Sequence, residues 1–166
     1  MANIILSHDQ IQHKIKRIAY QIYEANVYEP EIIIAGIEGG GLNFAKKIQT
    51  VLQQITDANI ILCKVTMNKS NPLSSGVKTS LPETEYTNKS VVLVDDVLNS
   101  GTTLIYGVHH FLQVPLKQLK TAVLVNRNHK KYPVKADYKG ISLSTSLQEH
   151  INVEFKAKSD SVFLSE

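Results

Sequence analysis

Short apolar runs rich in β-branched residues recur along the chain and constrain its fold more than any other feature. They lie at 32–37, 60–66, 90–95 and 121–126. None shows a regular alternation of apolar and polar residues, and this is typical of strands buried on both faces of a parallel sheet. Apolar residues at helical spacing follow the first run, between 42 and 55, and the third, between 104 and 112. The sequence therefore predicts an α/β protein with a mostly parallel sheet.

A further helix is predicted from about 8 to 26. Ser7 and Gln10 form the pattern of a capping box at its start. The apolar residues that follow at helical spacing are Ile11, Ile15, Ile18, Ile22 and Tyr23. We interpret this stripe as a face packed on the core. The alternative is that the basic face of the same helix contacts a partner.

Composition indicates a globular protein. A length of 166 residues corresponds to one domain over 1–166. With 43% hydrophobic and 20% charged residues, a disordered chain, a collagen-like chain and a coiled coil are excluded. The single cysteine, Cys63, cannot form an internal disulfide, which fits a reducing compartment. There is no apolar run of ~20 residues and no basic leader. We therefore expect a soluble cytoplasmic protein that does not bind a membrane.

Two regions carry weaker patterns. Residues 68–88 hold two prolines, a glycine and many polar residues, which favours a mobile functional loop. The alternative is that part of this segment forms an edge hairpin. The tail alternates short strand patterns with loops, at 136–138, 141–143 and 151–155.

An unusual group of acidic and polar residues lies at the end of the third apolar run and directly after it. Because ligands bind beyond the carboxyl ends of parallel strands, the adjacent carboxylates of Asp95 and Asp96 would stand at a binding edge. The polar segment 99–103 then enters a helix, and successive N–H groups at such a turn form an anion site. Gly101 permits a positive φ there. A sugar phosphate would match the pair of features. The alternative is that Thr102 or Thr103 caps the helix and the aspartates are solvated.

The stretch 91–103 resembles the phosphoribosyl-pyrophosphate signature of the type I phosphoribosyltransferases: an apolar strand, two acidic residues and a Ser/Thr-Gly loop. In that family the acidic pair contacts the ribose hydroxyls and the loop holds the 5′-phosphate. The resemblance implies the first role for Asp95 and Asp96. It implies the second for Asn99, Ser100, Gly101, Thr102 and Thr103.

The first apolar run ends in Glu38, Gly39, Gly40 and Gly41. This is no P-loop, because no Gly-Lys-Ser/Thr follows, and a dinucleotide fingerprint would need a glycine at Phe44. In the family, the corresponding loop binds pyrophosphate through backbone amides. Relatives often carry Lys or Arg in it, whereas the Glu38 carboxylate would repel pyrophosphate. The alternative explanation of the glycines is a turn needed for tight packing.

The segment 68–88 matches the flexible loop that closes over the active site in the family, and closure would exclude water from the reacting centre. Its cations are Lys69 and Lys78. Relatives use a cation there to neutralise the leaving pyrophosphate. We expect that role for Lys69, with an ordinary solvated lysine as the alternative.

The segment from Leu124 to Glu149 is similar to the branch of the family that combines attenuation of pyrimidine operons with uracil phosphoribosyltransferase activity. We place Asn126 and Asp137 in the base site. Purine enzymes usually carry Lys at the position of Asn126, and an amide can pair with a pyrimidine edge, so uracil is the expected base. They also have an aspartate, a candidate general base, at the position of Asn99. An ordinary strand-end residue is the alternative for Asn126.

In the attenuator branch, basic residues grip messenger RNA, and the matching positions here are Arg17, His129, Lys130 and Lys135. A solvated basic face around residues 127–131 is the alternative. His109 and His110 have no partners at ligand spacing, so no metal site is predicted from the protein alone.

Taken together, the resemblance implies a three-layer type I fold with about five core strands in a mostly parallel central sheet and a small hood. The implied activity joins a nucleobase to phosphoribosyl pyrophosphate with Mg²⁺, in a homodimer or higher homo-oligomer. The competing hypothesis is a nucleotide-sensing, RNA-binding regulator with little catalysis.

Overall fold

The computed structural model describes residues 3–166. The first two residues of the N-terminal stretch, which was judged above to lack a basic leader, therefore lie outside it. Its elements, in chain order, are β1 (Asn3–Leu6), α1 (His8–Ala25), β2 (Glu31–Ile37), α2 (Gly40–Ile55), β3 (Asn59–Thr66), α3 (Pro72–Ser75), β4 (Lys78–Thr79), α4 (Glu83–Tyr86), β5 (Ser90–Leu98), α5 (Thr102–Phe111), β6 (Gln118–Arg127), β7 (Tyr138–Leu143), β8 (His150–Glu154) and β9 (Ser161–Ser165).

The central sheet has six strands in the order β4-β3-β2-β5-β6-β7. All of its pairings are parallel except that of β4 with β3. Every residue of β2 from Ile32 to Ile37 is buried, as are Ser90 to Asp95 of β5. This burial on both faces explains why these strands lack alternation.

Helices cover both faces of this sheet. The apolar stripe of α1 packs with α2 and one face of the sheet, and Tyr86 of α4 and Phe111 of α5 pack on the other face. At the start of α1, the Ser7 hydroxyl accepts from the Gln10 amide and the Gln10 side chain accepts from the Ser7 amide, so the predicted capping box is present.

The hood is a small antiparallel sheet of order β1-β9-β8. Leu6 and Val162 join it to the core on the side of α1 and α2. The predicted fold, three layers around a mostly parallel sheet with a small hood, is confirmed. Two details differ: β1 and β9 were not foreseen, and the two patterns at 136–138 and 141–143 belong mostly to the single strand β7.

The segment 68–88 is not structureless. It contains the two short helices α3 and α4 and the edge strand β4, whose Lys78 and Thr79 pair with Thr66 and Val65 of β3. The edge-hairpin alternative therefore describes this part of the chain. Among residues 3–166, no helix combines the length and apolar character needed to cross a membrane.

Candidate active site

The order of the central strands creates a crevice between β2 and β5. From β2 the chain passes to β3 on one side, while β5 lies on the other, and α2 and α5 leave the two strands toward opposite faces. Such a reversal of strand order is the usual ligand site of open α/β sheets. The loops that enter this crevice are 38–41 and 99–103, both picked out in the sequence.

Asp95 and Asp96 stand at the carboxyl end of β5. Asp95 is only 5% exposed, and its carboxylate accepts from the Asp96 amide at 2.9 Å and from the Thr103 hydroxyl at 3.0 Å. Burial, followed by the charge of Asp96, raises the pKa of Asp95 to about 7. The alternative of a solvated aspartate pair is therefore wrong for Asp95, and half-buried Asp96 lies beside it.

Segment 99–103 forms a turn into α5. Gly101 begins the helix with φ +86°, and a side chain there would also meet Val134 Cγ1 at 2.6 Å. No side chain caps this end, so neither threonine has the capping role considered above; instead, the Ser100 and Thr102 hydroxyls lie 2.8 Å apart. The Thr102 amide donates to Ser100 Oγ at 3.3 Å. The first amides of a helix have no partner within it, so the Thr103 and Leu104 amides of this turn remain as N–H donors.

The glycines after β2 bring the start of α2 against the acidic pair. A Cβ atom on Gly40 would stand 2.0 Å from Asp96 Oδ2, and one on Gly41 would stand 2.9 Å from Asp95 Oδ1. Only glycine permits this approach. The packing explanation of these residues is thus correct, and it also sets the α2 amides beside the crevice.

Glu38 does not face the crevice. Its amide donates to the Val65 carbonyl at 2.8 Å, and its half-exposed carboxylate lies 3.8 Å from Lys64 Nζ. The expected repulsion of pyrophosphate is reduced, because a cation of β3 pairs with this carboxylate. The Glu38 amide is also unavailable as a donor, so any anion at this loop would depend on the amides from Gly39 onward.

Lys69 reaches over the same loop. Its ammonium lies 3.4 Å from the position that a Cβ atom on Gly39 would take. A cavity of about 280 Å³ occupies the crevice below. It is lined by Lys69, Asp95, Asp96, Val97, Leu98, Asn99, Ser100, Gly101, Thr102, Thr103 and Ile151. Lys78 is on the edge strand β4 and does not line the cavity.

The comparison with known proteins agrees with this geometry. The sequence pattern of the phosphoribosyl transferase domain matches residues 1–160. This chain belongs to the phosphoribosyltransferase family. A bifunctional protein PyrR of Streptococcus pneumoniae is 33% identical over 152 residues, which cover 90% of this chain and 88% of the relative.

Solved structures of phosphoribosyltransferases share the fold. A hypoxanthine-guanine phosphoribosyltransferase of Bacillus anthracis superposes with a TM-score of 0.74 at 25% identity, covering 90% of this chain and 86% of its own. A hypoxanthine phosphoribosyltransferase of Trypanosoma cruzi gives 0.77 at 17% identity, covering 99% and 97%. The type I phosphoribosyltransferase fold is therefore established for this chain.

The two residues expected at the base site lie apart in this chain. Asn126, near the end of β6, is 7% exposed, and its Oδ1 is buried without a hydrogen-bond partner. Asp137 precedes β7, at the opposite end of that strand from the cavity edge. Its carboxylate accepts from the Thr121 amide at 2.9 Å. This bond explains Asp137 structurally, so we leave it out of the proposed site. Neither Asp137 nor Asn126 lines the cavity, but Asn126 is paired in the sheet with Leu98, which does.

Three of the four residues matched to RNA contacts are engaged within the protein. Arg17 donates to the carbonyls of Lys139 and Gly140, both at 2.9 Å. His129 Nε2 donates to the Thr145 carbonyl at 2.8 Å, and Lys135 Nζ lies 3.8 Å from Asp137. Lys130 is exposed. The four positions therefore do not form a set of free cations.

Sequence reasoning missed two residues of the site. Ile151 of β8 brings the hood to the cavity wall. Arg127, grouped above with a solvated basic face, is buried and contacts Asn99, Thr145 and Ser146. Its position directly after the predicted buried run 121–126 was the signal available in the sequence. Its partners follow from the sheet order, which the sequence alone did not supply.

Proposed function

We propose that this protein joins a nucleobase, with uracil as the first choice, to phosphoribosyl pyrophosphate, releasing pyrophosphate and a nucleoside monophosphate. In this proposal residues 1–166 form a single phosphoribosyltransferase domain. The observation that carries it is the shared cavity, whose wall combines an acidic pair, a helix-start loop and one lysine. A ribose with a phosphate at each end fits such a wall.

Each part of the wall has a role in the proposal. Asp95 and Asp96 accept hydrogen bonds from the ribose hydroxyls, since carboxylate oxygens suit hydroxyl donors. The turn 99–103 holds the 5′-phosphate through N–H and hydroxyl donors. The glycine loop offers the amides of Gly39 to Gly41 to pyrophosphate, and Lys69 supplies the cation that this loop lacks.

In the reaction, the bond from C1′ to the pyrophosphate oxygen breaks and a bond from a base nitrogen to C1′ forms. The proton on that nitrogen leaves to solvent, because Asn99 stands where purine enzymes have a candidate base and an amide accepts no proton at neutral pH. Departure of the leaving group is therefore the step that the site assists, through Lys69 and the helix-start amides.

Magnesium fits this site through its substrate. Residues 3–166 gather no group of three histidine, cysteine or acidic side chains able to hold a metal by themselves. Magnesium commonly takes one or two carboxylates together with substrate phosphates. Asp95 and Asp96 beside a bound pyrophosphate would provide that set, and the ion would supply positive charge to the leaving group.

The unpartnered Asn126 Oδ1 lies next to Leu98 of the cavity wall, and a base that entered beyond that wall would offer it an N–H donor. Uracil offers such a donor beside its carbonyls, and the relatedness to a bifunctional protein PyrR favours the same choice. Hypoxanthine and guanine, named for the structural relatives, are the competing bases.

The experiment measures conversion of radiolabelled uracil, hypoxanthine and guanine with phosphoribosyl pyrophosphate and Mg²⁺. We expect uridine monophosphate as the main product, with activity lost in an Asp95→Asn, Asp96→Asn double variant. Turnover of a purine alone would replace uracil in the proposal. No turnover above the double variant with any base would refute the enzyme function.

A second candidate, an RNA-binding regulator of pyrimidine genes, is favoured by two exposed lysines of the segment after β6, Lys130 and Lys131. Filter binding to the RNA leader of a pyrimidine operon should then exceed binding to random RNA, respond to uridine monophosphate and weaken with salt. Equal binding of both RNAs would exclude it. The resemblance also implies a homodimer or higher homo-oligomer, which sedimentation equilibrium would measure.

A further inference from the structure

Arg127 is a buried cation without an acidic partner. The residue is 8% exposed, and no ion pair within residues 3–166 includes it. A buried charge is stable only when dipoles or counter-charges surround it. The protein must therefore place hydrogen-bond acceptors around this guanidinium, and their identity shows what the residue organises.

The acceptors come from two separate loops. Arg127 Nε donates to the Thr145 hydroxyl at 2.6 Å, and one terminal nitrogen donates to the Ser146 carbonyl at 2.8 Å. The other terminal nitrogen donates to Asn99 Oδ1 at 3.4 Å. Thr145 and Ser146 follow β7, whereas Asn99 follows β5.

The sheet register explains why one side chain reaches both loops. Leu98, the last residue of β5, pairs with Asn126, so Asn99 lies beside Arg127 at the end of β6. On the other side, Arg127 pairs with Leu143, the last residue of β7. Arg127 thus occupies the middle of three adjacent strand ends, at the edge that carries the cavity.

The bond to Asn99 also fixes which end of that amide faces the cavity. Its oxygen accepts from Arg127, so the remaining donor group, Nδ2, is left for a ligand, and Asn99 lines the cavity wall. An amide held this way presents N–H donors and suits an acceptor such as a phosphate oxygen.

We propose that Arg127 is a positioning residue that orders the 99–103 turn and the 144–149 segment together. If either segment moves, a buried guanidinium loses acceptors, so the free energy of displacing one segment depends on the other. A ligand that contacts both segments should therefore gain affinity from this coupling, whereas a ligand that contacts only one segment should not. The identity of these ligands rests on the proposed function.

The test uses the full chain and two probes in calorimetry. Under the proposed function, the base of uridine monophosphate would lie beside Asn126, between the ends of β5 and β7 and so between the two segments, whereas ribose 5-phosphate would reach only the 99–103 turn. The variants are Arg127→Lys, which keeps the charge, and Arg127→Gln, which removes it. Thr145→Val removes one acceptor while leaving Arg127 in place, and Thr50→Val on the exposed side of α2 is its matched control. Thermal unfolding confirms that each variant is folded.

We expect both Arg127 variants to weaken uridine monophosphate binding about tenfold more than ribose 5-phosphate binding, since a charged hydrogen bond contributes on that scale. The compact ammonium of lysine lacks the planar fork whose separate nitrogens reach the two loops, so Arg127→Lys should not rescue. Thr145→Val should show the same preference more weakly, and Thr50→Val should show none.

Four outcomes would overturn the inference. Rescue by Arg127→Lys would mean that the charge alone matters. Equal losses for both probes in the Arg127 and Thr145 variants would remove the coupling, as would unchanged affinities in folded variants. If the wild-type protein binds neither probe, the proposed function itself fails and the inference fails with it. If the wild-type protein binds and the variants bind equally well, only the inference fails.

Discussion

At the scale of single residues, Asp95 combines a site position with burial that opposes its charge. Its pKa is raised to about 7 by burial and by Asp96, whereas an unfolded aspartate titrates near ~3.9. Between these values the folded protein holds more protons than the unfolded chain. The free energy of unfolding therefore falls as pH rises through this window, and the loss is complete above the folded pKa.

We predict that Asp95→Asn stabilises the protein at pH 8 relative to the wild type, by roughly 1–4 kcal/mol, because the amide removes this titration. At pH 4 the difference should nearly vanish. Urea unfolding at both values measures it, with exposed Asp57→Asn as the control for general charge effects. A stability difference that stays constant between the two pH values would contradict the raised pKa.

Lys69 is the other residue whose position makes a direct prediction. Among the described residues it is the one lysine or arginine that lines the cavity, and its ammonium lies over Gly39. We expect Lys69→Gln to weaken pyrophosphate binding about tenfold, since a charge-assisted contact is removed. Calorimetry with pyrophosphate and Mg²⁺ measures this without turnover. Lys78→Gln, on the same segment but outside the cavity, should bind as the wild type does; equal losses in both variants would count against the role of Lys69.

At the scale of helices and strands, the sequence predicted the elements that are long or fully buried. Strands β2, β5 and β6 show as unbroken apolar runs, and α1 carries both a capping box and a periodic stripe. Strands β1, β4 and β9 did not, because they have five residues or fewer, and β1 pairs with β9 near the other end of the chain. Such short strands have no periodicity long enough to identify.

The residues of the site also fall into those that the sequence could predict and those that it could not. Asp95, Asp96 and 99–103 were predictable, because one continuous motif holds them. The approach of Lys69 to Gly39 and the bonds of Arg127 were not, since each joins segments that only the strand order brings together. Glu38 shows the reverse case: its charge was evident, but its pairing with Lys64 requires the register of β2 with β3.

The start of α2 packs closely against the acidic pair, and a substitution at Gly40 tests this packing. In Gly40→Ala the new methyl group would overlap Asp96 Oδ2, at 2.0 Å, and Asp96 Cγ, at 2.5 Å. The carboxylate must move, which breaks its bond from the Val97 amide. We expect a loss of roughly 1–3 kcal/mol in stability and weaker ribose 5-phosphate binding. Asn43→Ala, exposed on the same helix, is the matched control, and a Gly40 variant indistinguishable from it would disprove the packing constraint.

At the scale of the whole molecule, one buried carboxylate connects the hood to helices α1 and α2. Asp160, between β8 and β9, is 1% exposed. Its Oδ2 accepts from Gln12 of α1 at 2.7 Å and lies 3.3 Å from Lys47 Nζ of α2, while Oδ1 accepts from the Lys156 amide at 2.9 Å. The hood, α1 and α2 therefore meet at a single group, and Ile151 of the same hood forms part of the cavity wall.

Because the hood packs through this group, Asp160→Asn should affect the fold and the site together. The asparagine would keep one acceptor but would place an N–H₂ group against the donors of Gln12 and Lys47. We expect a loss of roughly 1–3 kcal/mol in unfolding free energy. Hydrogen exchange should also quicken in β8 and β9 more than in β2 or β5, because the anchor of the hood is weakened while the central sheet is unchanged. Gln12→Ala removes a donor and leaves the carboxylate with Lys47, so its effect should be smaller and in the same strands. Uniform loss of protection across both sheets would show that the hood and the central sheet unfold as one unit.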